Sequence, residues 1–216
     1  MNKKIGILGT GDVGKALGNA FLKTGHSVRM GSRSATNEKA LAWARQGGPE
    51  ASVGTFAETA FWADGIVLAT LGTATEGVIM QVGSVGFENK VVLDTTNPLK
   101  FDAGKPELYL GHDDSLGERV QALLPKGRVV KVFNTVGNAH MYKPDFPGGP
   151  PDMFIAGNDE EAKKETGIML REFGWGVVDL GGIEASRYLE PMCLAWVLYG
   201  MKTGGWNHAF KMLHKD

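Results

Sequence analysis

Six residues near the start of the chain, Gly9-Thr10-Gly11-Asp12-Val13-Gly14, restrict its fold more than any others. An apolar run, Lys4-Ile5-Gly6-Ile7-Leu8, precedes them. A segment with Val13, Ala16, Leu17, Ala20 and Phe21 at helical spacing follows. Strand, glycine turn and helix then have separate mechanical demands. Gly9 makes the tight turn out of the strand, Gly11 lets backbone approach a pyrophosphate, and Gly14 lets the helix pack closely on the strand. The helix start offers unpaired N–H groups and the positive end of its dipole to an anion. The alternative is a structural turn without a ligand.

The next strand, Ser27-Val28-Arg29-Met30, ends in Gly31-Ser32-Arg33-Ser34. A fold of this type that prefers NAD carries an acid here, for the two ribose hydroxyls. An acid repels a 2′-phosphate, whereas the guanidinium of Arg33 pairs with it and the hydroxyl of Ser32 adds a donor. The residues therefore point to NADP(H), against the alternative of a loop arginine with no ligand. Ser34 or Thr36 is equally placed to cap a helix predicted over 37–46.

Further apolar runs at 65–70, 90–96, 128–133, 152–156 and 176–179 alternate with helical patterns, among them 115–124 and 159–173. That alternation predicts an α/β Rossmann fold, a doubly wound and mainly parallel sheet covered on both faces. Ligands bind such sheets beyond the carboxyl ends of the strands, so loops 71–75, 97–100 and 134–141 should wall the site. With 216 residues, the expected division is an NADP-binding domain over 1–182 and a helical segment over 183–216 for substrate or dimerisation. That segment reads as one long helix, 183–201, containing Pro191, then a short helix over 206–213. The long helix is apolar nearly all round. The sheet domain covers one face and a second subunit is expected on the other, giving a homodimer.

A net charge of −1 gives no reason to expect nucleic acid or an anionic membrane as partner. The one cysteine, Cys193, excludes an internal disulfide and is expected to be an inert core thiol in a reducing, cytoplasmic setting. The first strand begins so early that no signal peptide is expected. The longest apolar run, 192–201, falls short of the roughly 20 residues that span a bilayer.

Taken in order, the glycine turn, Gly31-Ser32-Arg33, Asn97-Pro98, Phe133-Asn134-Thr135 and Gly205-Trp206-Asn207 resemble the NADP-dependent reductases of the deazaflavin coenzyme F420. They also resemble the cytosolic domain of the six-transmembrane metalloreductases. The resemblance implies that Thr10, Asp12 and Val13 line the pyrophosphate turn and that Ser32 and Arg33 meet the 2′-phosphate. It further implies Leu71 and Gly72 over the adenosine-side ribose, and Asn97, Pro98, Asn134 and Thr135 around the nicotinamide. The family often has histidine at the place of Asn134 and proline at that of Gly137.

The implied activity is hydride transfer between NADPH and a flavin-like acceptor, coenzyme F420 or FMN/FAD. Such transfer needs stacked rings more than acid–base groups, which suits a chain with no triad or carboxylate pair. Asn134 and His140 are the candidate catalytic residues. His140 is either a donor to the acceptor ring or a solvated loop histidine. His112-Asp113-Asp114 reads as a surface turn, and no metal is expected. Two other functions fit the same residues: reduction of a small imine or hydroxy acid, and NADP(H) sensing without turnover. Lys202 and Asn207, five apart across Gly204-Gly205, argue against the hydroxy-acid chemistry.

Overall fold

A computed structural model describes residues 2–102 and 104–215. The element order is β1 (Lys4–Leu8), α1 (Asp12–Lys23), β2 (Ser27–Ser32), α2 (Glu38–Gly47), β3 (Ala51–Thr55), α3 (Phe56–Trp62), β4 (Gly65–Leu68) and α4 (Gly72–Val82). Then follow β5 (Val91–Asp94), β6 (Leu99–Asp102), β7 (Lys105–Leu108), α5 (Leu116–Leu123), β8 (Arg128–Lys131), β9 (Asp152–Gly157), α6 (Glu160–Glu172), β10 (Gly176–Asp179) and α7 (Ser186–Thr203). Eight strands form one sheet in the order β10-β9-β8-β5-β4-β1-β2-β3, and β6 and β7 make a separate antiparallel hairpin. This is the doubly wound α/β fold that the alternating pattern predicts.

Two-residue periodicity divides each central strand between two cores. Ile7, Val67, Leu93 and Val130 face one core with Leu17, Phe21, Trp43 and Phe173. Leu8, Ile66, Leu68, Val92 and Val129 face the other with Phe56, Ile79 and Leu116. Strands buried on both faces must be apolar throughout, which is why they are visible as continuous runs.

One expectation is corrected and two gain detail. The sheet is not parallel at β9, which pairs antiparallel with β8 while β10 runs parallel to β9. The chain between β8 and β9 contains only a short helical turn, Asn138–His140, and no crossover helix to bring it back for parallel pairing. Residues 206–213 form no helix. Gly204 ends α7 at φ 68, and the tail's backbone bonds to the sheet instead: Asp152 N donates to Phe210 O (2.9 Å) and Met212 N donates to Asp152 Oδ2 (2.8 Å). Helix α7 is buried on one face only. Leu189, Cys193, Trp196 and Val197 are buried, while Tyr188, Leu198, Tyr199 and Met201 are exposed. Pro191 lies inside this helix without ending it.

Among the described residues no helix is long and apolar enough to cross a membrane. Burial raises the pKa of Cys193 to about 12. Iodoacetamide should therefore leave the native protein unlabelled at pH 8 and modify it fully in denaturant. Rapid native labelling, followed by mass spectrometry, would contradict the buried position.

Candidate functional site

The glycine turn has the geometry of an anion cradle. Gly9 has φ 134, a conformation that side chains disfavour, and an added Cβ would overlap Ala69 O. Its N–H donates to Gly31 O (3.1 Å), which pins the turn to β2. A Cβ on Gly14 would stand 2.5 Å from Gly9 O, so α1 packs directly on the turn. Gly11 differs, because a Cβ there would meet nothing within 4 Å. The open space lies at the start of α1, where Gly11 supplies no side-chain cap. Thr10 and Val13 flank it half-buried, and Asp12 turns an exposed carboxylate to 4.0 Å from Lys15.

Four helices are capped by side chains: α2 by Asn37, α3 by Thr55, α5 by Ser115 and α6 by Asp159. Two helices that begin at the carboxyl ends of central strands, α1 and α4, have no side-chain cap. Their first N–H groups remain available to a ligand. Leu71, at the start of α4, is 79% exposed, and Gly72 packs against the backbone of Asn97.

At the end of β2, Ser32 is buried and its hydroxyl is engaged within the turn. It donates to Ser34 O (2.6 Å) and accepts from Ser34 N (3.3 Å). This hydroxyl therefore shapes the loop, and the exposed Arg33 is the group free to meet a ligand. Helix α2 is capped by Asn37, which accepts from Ala40 N (3.0 Å), and not by Ser34 or Thr36. Those two hydroxyls instead lie 2.7 Å apart on the exposed loop beside Arg33.

The ends of β5 and β8 meet through two carboxamides. Asn97 Nδ2 donates to Asn134 O (3.2 Å), and Asn134 Nδ2 donates to Asn97 Oδ1 (3.3 Å) and Leu189 O (2.8 Å). Thr135 and Pro98 are buried beside them. Phe133 holds φ 57, a strained position for an aromatic residue that costs about 1–3 kcal/mol and is typical of functional sites. Asn134 is only 3% exposed, and its amide braces β8 against Asn97 and α7.

His140 Nε2 lies 3.0 Å from Asn207 Oδ1, and its ring centre is 4.9 Å from that of Phe146. It is thus neither free nor fully solvated. Trp196 stacks on His208 with ring centres 4.6 Å apart and lies 5.3 Å from Trp206. A Cβ at Gly137 would come 3.3 Å from the Trp196 ring, so the loop after β8 rests on α7 and the tail. Because β9 runs antiparallel to β8, its start at Asp152 lies on the carboxyl side of β1 to β5 and β8 and anchors the tail there.

A buried ionic cluster escapes the sequence reading. Lys131 is fully buried, with Nζ 2.7 Å from Asp94 Oδ2 and 2.9 Å from Glu190 Oε1. The signal was a lysine inside the run Val129-Val130-Lys131-Val132-Phe133, since a buried ammonium requires carboxylate partners.

A glycine turn, an exposed arginine after the second strand and two uncapped helix starts on one sheet edge define a dinucleotide-binding Rossmann protein. Comparison with known proteins narrows this. The sequence model described as "NADP oxidoreductase coenzyme F420-dependent" matches residues 4–98. The F420-dependent NADP reductase of Methanocaldococcus jannaschii is 32% identical over 200 residues, which covers 88% of each chain. A crystal structure from Arthrobacter sp. fb24, of a protein provisionally described as an F420-dependent NADP reductase, is 32% identical with a TM-score of 0.92. The match covers 99% of this chain and 100% of that one. Metalloreductase STEAP3 of Rattus norvegicus is 26% identical over 191 residues, 88% of this chain but 36% of that protein. The chain belongs to the family of F420-dependent NADP reductases and is, at that level, an NADP-dependent oxidoreductase.

Proposed function

We propose that the protein transfers hydride between NADP(H) and a planar flavin-like acceptor, a deazaflavin such as coenzyme F420 or else FMN or FAD. The observation that carries the NADP(H) half is the open space at Gly11 beside an uncapped helix start, with Arg33 exposed where an NAD-preferring site has an acid, and the acceptor half rests on the likeness to an F420-dependent NADP reductase. When bound, the cofactor supplies the hydride chemistry, and the protein's residues supply position. The N–H groups at the start of α1 hold the pyrophosphate and Arg33 the 2′-phosphate. Leu71 covers the adenosine-side ribose, and the braced turn at Asn97 and Asn134 sets the height of the nicotinamide. The acceptor stacks from the side walled by His140, Phe146, Trp206 and Asn207. His140 there orients the tail through Asn207, and the proton that completes reduction of the acceptor ring after hydride arrival comes from water.

The test is loss of NADPH absorbance with F420, FMN and FAD supplied in turn. Saturable turnover with at least one is expected. NADPH binding without turnover on any of the three would favour a sensing module. His140→Ala should raise the KM for the acceptor several-fold and leave the NADPH Kd unchanged. A kcat loss of about a hundredfold or more would instead assign the imidazole a proton-transfer role, whose contribution is typically of that size.

A further inference from the structure

Lys131 carries the largest polar side chain among those fully buried. It stands in direct register with Asp94 across the β5–β8 pair. Both residues share the strand face of Val92 and Val129, the face covered by α5. The ammonium pairs ionically with Asp94 Oδ2 at 2.7 Å and Glu190 Oε1 at 2.9 Å and donates a hydrogen bond to Thr96 O at 2.9 Å.

Each carboxylate reaches further. Asp94 Oδ1 accepts from Thr96 N (3.0 Å) and Thr96 Oγ1 (2.6 Å). Glu190, 2% exposed, accepts from Leu116 N (3.0 Å) and Gly117 N (2.9 Å) at the start of α5. One cluster thus joins the ends of β5 and β8, the start of α5 and the second turn of α7. The excess negative charge faces the positive end of the α5 dipole. Burial works against the ammonium, yet the adjacent Asp94 and Glu190 carboxylates hold the pKa of Lys131 above its ordinary value.

A buried ionic cluster is seldom more stabilising than apolar side chains of the same volume. What it does impose is a fixed geometry, since each hydrogen bond has one direction and no substitute. The geometry fixed here is local to the site. Thr96, held twice by Asp94 and once by Lys131, is followed directly by Asn97. Lys131 itself is three residues before Asn134. We propose that Lys131, with Asp94 and Glu190, is a positioning residue that sets the Asn97 and Asn134 turns under the nicotinamide half of the cofactor. This rests on the reading above that the sheet edge takes NADP(H). The cluster touches no ligand and should leave the adenosine half unaffected.

Two variants test it: Lys131→Met, and the charge-neutral triple Asp94→Asn/Lys131→Met/Glu190→Gln. The triple variant leaves no unpaired buried charge, so it stays folded should the single variant not. Each is checked by circular dichroism, then titrated with NADPH and with adenosine 2′,5′-bisphosphate, which lacks the nicotinamide. Nicotinamide fluorescence of bound NADPH is recorded as well. The triple variant should bind the bisphosphate within about twofold of wild type. Its NADPH affinity should fall about tenfold toward that of the bisphosphate, with loss of the fluorescence change expected for wild type. Unchanged NADPH affinity and fluorescence would overturn the proposal, as would parallel losses for both ligands, the mark of a purely structural cluster. A wild-type protein that binds neither ligand would instead refute the cofactor reading itself.

Discussion

Gly11→Val should abolish NADPH binding and leave the protein folded, whereas Gly9→Ala, a smaller change two residues away, should prevent folding. The contrast follows from what surrounds the two positions. Gly11 has φ −75 and ψ −178, extended backbone that valine adopts readily, and its Cβ would enter open space. Replacing glycine at a helix start with valine costs about 1 kcal/mol. The added methyl groups then fill the gap between backbone and pyrophosphate. At Gly9, φ is 134 and the new Cβ would overlap the Ala69 carbonyl at the end of β4. Neither β1 nor β4 can retreat, because each is paired on both sides in the sheet. A steric and conformational conflict of this kind belongs to the class costing more than about 4 kcal/mol. Thermal melts of both variants, with NADPH titration of Gly11→Val, decide the matter. A Gly11→Val protein that bound NADPH normally would show that the gap serves no ligand, and a collapsed melt would show that it serves packing.

The parts of this fold that were legible are those whose residues meet local demands. The strands β1, β4, β5 and β8 are apolar on both faces because helices cover both, and the glycine turn answers a steric rule that only those residues satisfy. Strand β3, Ala51–Thr55, was not legible. It lies at the sheet edge, mostly half-buried, with a short and mixed composition. The β6–β7 hairpin is largely exposed and contains Pro106, so it carries no apolar alternation. The direction of β9 depends on how the chain between 132 and 151 returns, which no periodicity records. The tail looked helical from spacing alone, but its backbone groups are taken by Asp152, some 60 residues earlier. Pairings at such distance defeat local reading. Lys131 is a charge inside an apolar strand, a signal the sequence reading passed over, and nothing near it names Glu190 as partner. Asn134 and His140 were singled out by position, and only the fold shows that their side chains bond to Leu189 and Asn207.

The choice of cofactor rests on one side chain. Arg33→Ala should weaken NADPH binding tenfold to a hundredfold and leave NADH nearly unchanged. A hydrogen bond to a charged group contributes roughly 1.5–3 kcal/mol, and about 1.4 kcal/mol corresponds to a factor of ten. Arg33 is exposed at the loop after β2, so its removal leaves no cavity and no buried partner unpaired. The loop conformation is maintained by Ser32 and Ser34 through their own hydrogen bonds, which the substitution does not touch. Reversing the preference requires an acid near the ribose hydroxyls, and Ser32 is the wrong place for it. That residue is 5% exposed, and its hydroxyl bonds to Ser34 would be lost along with the solvation of the new carboxylate. Arg33→Asp places the carboxylate on the exposed side of the same turn. NADPH should then lose more than with alanine, through repulsion of its phosphate, while NADH gains an acceptor for its ribose. Titration of both variants with both cofactors, at low and at high salt, separates the effects, because the phosphate contact alone should weaken as salt rises. Equal losses for NADPH and NADH would mean that Arg33 merely shapes the loop, and the assignment of NADP(H) to this edge of the sheet would fall with it.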